Sequence, residues 1–396
     1  MSEASGSMLK QATLSARGRG LVASHAIKAG EILLQEPHLL LYLDAAFASL
    51  NAVCFHCTRL DPSPKGTGSW TICPVCQTAT FCSLDCATSS SSSTHTSFVC
   101  KALSLLRLST LDLDLQTQAR YLIAAYNLAV LSPHDFQQLL ALEGDGPVDE
   151  KANVLHTFLS EVIRHWQVET QRLPSWSLHF VASLLVKDQR NAFGLSTYFS
   201  DTHLRQVRAY AIYAQASFFN HDCLPNACRF DYIDRPGVGS TDIIIRALHD
   251  IPDGAEICIS YFPINWSLTE RQKKLRDEYG FICKCERCQV EEGWSDEDIA
   301  EQGEEISVER DTSEEGDEDM EATDEEVMDA EEDLQGSFPH AMFFAKYLCP
   351  HEGCGGTLAP LPPNQGRAVI MECNVCGQLR SEEEFLREIE EYRVSS

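Results

Sequence analysis

The chain has 396 residues, 44% of them hydrophobic and 9% aromatic, which suffices for the cores of two or three domains. Its formal net charge is −28, but residues 291–333 carry 23 Asp and Glu against Arg310, which leaves −6 for all other residues. This balance, with no basic stripe, argues against direct nucleic-acid binding and favours a basic protein partner. The first 20 residues lack a signal-peptide core, and no stretch has the roughly 18 apolar residues of a membrane helix, so we expect a soluble intracellular protein.

Short apolar runs in GRGLVASHAIKAGEILLQEPHLLLYL predict small antiparallel strands near the start of the chain. A Cys/His-rich region follows, from Cys54 to Cys100, and contains the loop sequences SPKGTG and TSSSSST. Helical spacing from Lys101 to about Lys187 predicts a helical insert, and strand-like pieces return between Asn191 and Tyr261. Because strands this short cannot build a core locally, we expect the two β regions to pack together in an α+β fold.

Residues 291–336 form an acidic segment that is too charged to bury itself and is predicted to be disordered. Two roles stay open for it: a solvated linker, or a region that attracts basic tails by long-range electrostatics. A last small module, with the terminal helix sequence SEEEFLREIEEYR, is expected over residues 337–396.

The spacing of the 17 cysteines favours metal ligands over disulfides in a reducing compartment. Four Cys or Cys/His pairs lie between residues 54 and 100, enough for two tetrahedral zinc ions. Such pairs usually interleave. The predicted ligand sets are therefore Cys54, Cys57, Cys82 and Cys86 for one ion, and Cys73, Cys76, His95 and Cys100 for the other. Buried structural thiols, or His56 as a rival ligand, are the alternatives.

Two more zinc sites follow from the remaining cysteines. The sequence YGFICKCERC supplies three ligands, Cys283, Cys285 and Cys288, and Cys223 of SFFNHDCLPNAC can complete the set. The fourth set has zinc-ribbon spacing: Cys349, Cys354, Cys373 and Cys376. Four protein ligands close each site, so all four ions are expected to be structural. Cys228 and Cys258 remain, and both are predicted to be small buried apolar residues.

Five motifs in chain order resemble those of the SET-domain protein-lysine methyltransferases, and specifically of the SET-and-MYND-domain family. They are ARGRGLVA with KAGEIL, NAFG, SFFNHDCLPN, GAEICISY and CKCERC. The resemblance covers roughly residues 10–290, and the Cys/His region resembles the inserted MYND finger. The finger departs from the family in its long spacing between Cys57 and Cys73, in His95-x4-Cys100, and in lacking a Trp before the histidine. These departures weaken the expectation that the finger binds peptides.

The resemblance implies an α+β SET-domain fold of short strands, with a MYND finger, a helical insert and a post-SET zinc motif. The expected divisions of the chain are 1–50 and 188–264 for the SET domain, 51–100 for the finger, 101–187 for the helical insert, 265–290 for the post-SET motif, 291–336 for the acidic segment and 337–396 for the C-terminal zinc ribbon.

The reaction implied by the resemblance is methyl transfer from S-adenosylmethionine to a lysine amine. The amine must be neutral, although the ordinary lysine pKa is near 10.4, so a narrow apolar channel must lower it. Tyr261 is the catalytic candidate, whose hydroxyl would orient the amine. The implied cofactor-binding residues are Arg17, Gly18, Arg19, Gly20, Asn191, Ser217, Asn220, His221, Tyr261 and Phe281, with Phe281 stacked on the adenine. The implied channel residues are Phe193, Tyr213 and Tyr261.

Taken alone, these residues have plainer interpretations. GRG is more often a turn, an Asn-His pair often caps a helix or lies in a core, and a tyrosine that ends a strand usually packs. Tyr126, in the helical insert, either reaches the cofactor or packs between helices.

The predicted function is S-adenosylmethionine-dependent methylation of lysines in histone tails or other basic proteins such as ribosomal proteins. The expected locations are nucleus and cytoplasm, and the expected state is a monomer without a membrane partner. The alternative is a catalytically inactive zinc-rich adaptor whose finger binds proline-containing peptides. A cofactor-binding titration distinguishes the two.

Overall fold

The structure, a computed structural model, describes residues 7–61, 70–166, 175–199, 204–234, 241–293, 340–363 and 370–395. The acidic segment lies almost wholly outside these residues, so its disorder and its two possible roles stay predictions. Within the described ranges, no helix combines the length and apolarity needed to cross a membrane.

Short strands from distant parts of the chain pair to form the half of the molecule that the motifs predict to be a SET domain, which we call the SET-domain half. A hairpin joins β1 (Leu9–Leu14) and β2 (Gly18–Ala23). The first three-stranded antiparallel sheet has the order β10 (Ala227–Phe230), β11 (Ile243–Ala247) and β3 (Ile32–Glu36). The second has the order β4 (Leu40–Leu43), β8 (Leu204–Ile212) and β7 (Phe193–Phe199). Both sheets combine strands from before and after the helical insert, as the strand lengths predict.

Two smaller strand pairs lie near the cysteine-rich parts. Strands β5 (Thr71–Ile72) and β6 (Thr80–Phe81) pair antiparallel between the cysteines of the first region. Strands β9 (Asn220–His221) and β12 (Cys258–Ile259) form a parallel pair. In this pair Asn220 lies opposite Cys258, and His221 lies opposite Ile259. This second pair brings the Asn-His sequence beside the stretch that leads to Tyr261.

The helical insert is built from amphipathic helices with side-chain caps at several of their N-termini, such as Thr96, Asp112 and Ser177. Its helices are α3 (Ser97–Leu108), α4 (Leu113–Leu131), α5 (Pro133–Ala141), α6 (Glu150–Trp166) and α7 (Leu178–Asn191), after the short helices α1 (Ala45–Ser49) and α2 (Leu84–Ser90). The ring of Tyr126 is buried and stacks on Phe98 at 4.5 Å between centroids. Tyr126 therefore packs between helices.

The segment after Tyr261 begins with α8 (Leu268–Lys274), which has a capping box from Ser267 and Glu270. It continues into a π-helical turn, Leu275–Tyr279, and ends at Gly280, whose φ of +77° is the left-handed conformation that glycine favours. Helix α9 (Glu286–Glu291) carries Cys288.

The C-terminal module comprises α10 (Ala341–Tyr347), a three-stranded antiparallel sheet and α11 (Glu382–Ser395). The sheet has the order β13 (Leu358–Pro360), β14 (Ile370–Cys373) and β15 (Leu379–Ser381). Strand β14 lies in the centre of this sheet and pairs antiparallel with both of its neighbours. The module is not a separate body, because Phe344, Leu358 and Met371 share one buried cluster with Phe230 and Leu248 of the SET-domain half.

Candidate functional site

The centre of the site is the turn after β9, where the backbone runs beside β12. Register pairs Asn220 with Cys258 and His221 with Ile259, so Tyr261 follows two residues beyond the strand pair. The predicted meeting of the Asn-His sequence with Tyr261 is thus produced by main-chain pairing.

The His221 imidazole is buried, with 3% of the residue exposed, and protein atoms engage both of its nitrogens. Nδ1 accepts the backbone N–H of Tyr261 at 3.2 Å, which leaves the proton on Nε2, 3.2 Å from the sulfur of Cys223. Burial lowers the pKa of His221 to about 3, so the ring is neutral at physiological pH. The imidazole therefore fixes the backbone at Tyr261, and both of its nitrogens are engaged by protein atoms.

Tyr261 is held at both ends. Its N–H donates to His221, and its hydroxyl donates to the backbone carbonyl of Phe219 at 2.9 Å. Burial raises the pKa of Tyr261 well above its usual value, so the phenol keeps its proton. The sequence interpretation missed Tyr279, whose ring lies 4.7 Å from that of Tyr261. Its signal was its place in YGFICKC, directly before the cysteines of the predicted post-SET motif.

A cluster of opposite charges surrounds Asn220. The Asn220 side-chain amide donates to Glu256 at 2.8 Å, and the Arg17 guanidinium lies 3.0 Å from the other oxygen of Glu256. Arg17 also donates to the backbone carbonyl of His221. Glu256, in GAEICISY, was not singled out from the sequence, although it connects Arg17 to Asn220.

Gly20 is required by this cluster. A Cβ at position 20 would lie 2.6 Å from the Asn220 amide nitrogen and 2.6 Å from the Leu14 side chain. The Asn220 side chain thus fills the space beside the Gly20 backbone.

Arg19 and Asn191 lie on the side of the site that faces the helical insert. The Arg19 guanidinium lies 5.0 Å from the Phe218 ring and 3.8 Å from Glu143. The Asn191 amide donates to the backbone carbonyls of Glu143 and Lys187, each at 2.7 Å. Asn191 therefore holds the segment that carries Glu143, and its amide nitrogen is fully engaged by protein.

The predicted channel residues occupy different layers. Phe193 is partly buried and packs edge-on against Tyr213, with centroids 5.6 Å apart. Tyr213 itself is fully buried and donates its hydroxyl to the Thr241 carbonyl at 2.7 Å, behind Phe193. The Ser217 hydroxyl donates to the Tyr213 carbonyl. Phe281 is 39% exposed, with its ring 6.5 Å from that of His221, and presents an open aromatic surface.

The structure brings together the four ligand sets that cysteine spacing predicts. They are Cys54, Cys57, Cys82 and Cys86; Cys73, Cys76, His95 and Cys100; Cys223, Cys283, Cys285 and Cys288; and Cys349, Cys354, Cys373 and Cys376, with ligand atoms within 4.8 Å of one another in each set. Cys228 and Cys258 are buried outside these sets, as predicted.

The sulfur separations fit metal binding better than disulfides. Cys57 and Cys82 lie 3.6 Å apart, Cys223 and Cys288 3.5 Å, and Cys354 and Cys373 3.6 Å. A disulfide requires about 2.05 Å, whereas tetrahedral zinc at about 2.3 Å from each sulfur sets the sulfurs about 3.8 Å apart. Each donor set therefore suits one tetrahedral zinc ion, and Cys223 connects one such set to the His221 ring.

Comparison with known proteins identifies the class of protein to which this chain belongs. The model of the SET domain matches residues 18–262, more than half of the chain. Histone-lysine N-methyltransferase ASHR2 of Arabidopsis thaliana is 43% identical over 95% of this chain and 96% of its own length. The chain belongs to the SET domain family, and the family predicted from the motifs is confirmed.

More distant relatives match a smaller part of their own length. SET domain-containing protein SmydA-8, isoform B, of Drosophila melanogaster is 28% identical over 69% of this chain and 55% of its own. Histone-lysine N-methyltransferase ASHR1 of Arabidopsis thaliana is 24% identical over 69% and 53%. The chain thus spans about half the length of these two relatives. The alignment with the solved structure of Rubisco LSMT bound to AdoMet is 14% identical, covers 72% of this chain and 53% of that chain, and has a TM-score of 0.31.

Proposed function

We propose that the protein transfers a methyl group from S-adenosylmethionine to the side-chain amine of lysine in basic proteins. The observation that carries this proposal is Tyr261, a protonated phenol fixed through His221 and Phe219 beside a second tyrosine, Tyr279. The names of the relatives ASHR2 and ASHR1 support the activity and the histone class of substrate. The same proposal includes ribosomal proteins as substrates and places the protein in the nucleus and the cytoplasm.

The donor set around Asn220 fits the amino-acid end of S-adenosylmethionine. Arg17 and Arg19, whose side chains are 37% and 40% exposed, suit a carboxylate, and Glu256 and Asp222 suit an ammonium group. Phe281 presents an exposed ring for the adenine. When bound, the cofactor supplies an electrophilic methyl group.

The chain's own residues would prepare the amine. Aromatic walls from Phe193, Tyr261 and Tyr279 exclude water and so lower the pKa of an entering lysine. The Tyr261 hydroxyl is placed to orient the neutral amine. Because its phenol is protonated, Tyr261 acts through a hydrogen bond rather than as an anion. His221 is a positioning residue, since its imidazole contacts Tyr261 and Cys223 and faces no open space.

The proposal also includes four zinc ions with a structural role. We assign two ions to a MYND finger, one to a post-SET site and one to the C-terminal module, each held by four of the side chains described above. Exposed Ile72, Val75 and Leu84 on the finger support a surface for proline-containing peptides. Kinship with SET and MYND domain-containing protein 5 within the family belongs to the same proposal.

The direct test is methyl transfer from labelled S-adenosylmethionine into a cell extract. His221→Ala should abolish labelling, since it frees the backbone at Tyr261, and Tyr261→Phe should slow it by roughly 100-fold. His134→Ala, at a side chain that is 84% exposed, and Tyr210→Phe, outside the site, serve as matched controls and should label normally. Equal labelling by all five proteins would refute the site, and failure of the wild type to bind the cofactor would favour the inactive adaptor.

A further inference from the structure

One amide side chain, that of Asn374, hydrogen-bonds both to the C-terminal module and to the SET-domain half. Asn374 lies between two cysteines of the last set. Its Oδ1 accepts the backbone N–H of Thr357 within the module at 2.8 Å. Its Nδ2 donates to the backbone carbonyl of Arg229 on β10 at 3.0 Å. One end of the amide thus belongs to the module, and the other reaches the SET-domain half.

Arg229 continues this path toward the channel. Its Nη2 donates to the carbonyl of Gly194 at 3.2 Å, and its guanidinium carbon lies 5.6 Å from the centroid of the Phe193 ring. Phe193 in turn packs edge-on against Tyr213. One wall of the proposed channel, the Phe193 ring, therefore lies close to this arginine.

Two other contacts fix the orientation of the module. Arg246 of β11 and Glu372 of β14 form an ion pair at 2.7 Å, with side-chain exposures of 2% and 1%. Arg287, between two post-SET cysteines, places its guanidinium carbon 4.5 Å from the ring centroid of Phe344 in α10. A buried pair of this kind specifies one docked arrangement because any other leaves a charge uncompensated. The module is thus held against both β11 and the post-SET motif.

We propose that the C-terminal module positions the wall of the lysine channel, acting from Asn374 through Arg229 to Phe193. This inference rests on the proposed methyltransferase function. Arg229 is a positioning residue in this account, and the module adjusts the affinity for the peptide substrate while leaving the cofactor cluster at Arg17, Asn220 and Glu256 unchanged.

The discriminating substitution is Asn374→Asp in the full-length protein. Aspartate keeps an acceptor for Thr357 but places an oxygen against the Arg229 carbonyl, so it breaks only the contact with the SET-domain half. Hydrogen exchange should become about tenfold faster in residues 193–195 and 227–230 and stay unchanged in residues 357–360. Asn153→Asp, the same change on the exposed face of α6, is the control and should alter neither region. Unchanged exchange at residues 193–195 would overturn the proposal, as would faster exchange across the module, which would assign Asn374 to the module's own fold.

Kinetics on purified core histones test the path through Arg229. Asn374→Asp and Arg229→Gln should each raise the KM for histone about tenfold, with a change of less than twofold in the calorimetric Kd for S-adenosylhomocysteine. If the effect passes through Arg229, the double variant should match Arg229→Gln alone; multiplicative effects would contradict the path. A wild type that transfers no methyl group would count against the proposed function, while hydrogen exchange, which needs no turnover, would still judge the positioning role.

Discussion

A buried carboxylic acid, Asp188, joins the helical insert to the SET-domain sheet. It accepts a hydrogen bond from the Tyr42 hydroxyl at 2.5 Å, and 7% of the residue is exposed. Burial raises the pKa of Asp188 to about 7 from 3.8, outweighing the opposite effect of the Tyr42 hydrogen bond. The folded state therefore binds this proton more tightly than the unfolded chain does. Its contribution to stability is complete below pH 3.8 and is lost as the pH rises through about 7.

The difference in unfolding free energy between wild type and Asp188→Asn should therefore depend on pH. Asparagine keeps an oxygen acceptor for Tyr42 but does not titrate. Between pH 5 and 7 the wild type should lose up to about 1.4 kcal/mol per pH unit relative to the variant. Urea titrations at several pH values measure this difference, and parallel pH dependences of the two proteins would show that Asp188 does not titrate in this range.

At the residue scale, the sequence predicted which residue types form the site better than it predicted which atoms those residues contact. The SFFNHDC sequence located His221 and Cys223, but only the fold shows that both imidazole nitrogens face protein atoms. Tyr213 is an aromatic residue close to the family motifs in sequence. The strand that precedes it nevertheless directs its ring behind Phe193. Side-chain direction depends on strand register, which short sequences specify weakly.

At the element scale, the docking of the C-terminal module depends on strands β11 and β14. The ion pair of Arg246 and Glu372 crosses between them, and Tyr232 donates its hydroxyl to the same carboxylate at 2.8 Å. Removal of one partner leaves the other charge buried.

Glu372→Ala should therefore destabilise the protein by about 3 to 5 kcal/mol, measured by chemical denaturation. The control is Asp250→Asn, which breaks a pair with Lys28 whose side chains are 60% and 70% exposed and which should leave the transition midpoint unchanged. A loss below about 1 kcal/mol in Glu372→Ala would mean that the pair is solvated and the module is not docked as described.

Which elements exist could be predicted from sequence, but which of them pair could not. Short apolar runs indicated the strands, and helical spacing indicated the insert. The pairing of β3 with β11 joins residues more than 200 positions apart, such as Gln35 and Ile244. No local pattern encodes that partner. The Asn374 contact with Arg229 likewise spans 145 positions.

At the scale of the whole molecule, the described residues bring together four cysteine-rich ligand sets. Elemental analysis should find four zinc ions per chain in the reduced, zinc-replete protein. Cys57→Ser and Cys285→Ser should each lose about one ion. Only Cys285→Ser should also weaken cofactor binding, because its site includes Cys223 beside His221. Equal loss of cofactor affinity in both variants would contradict this local coupling.

Calorimetric titration of S-adenosylmethionine into zinc-replete protein most directly tests the claim that the Asn220-His221 turn and its neighbouring cysteine form one cofactor-binding unit. The wild type should bind one equivalent, His221→Ala should lose at least tenfold in affinity, and His134→Ala should match the wild type. Absence of binding heat from the wild type at several temperatures, or equal affinity in all three proteins, would contradict the account.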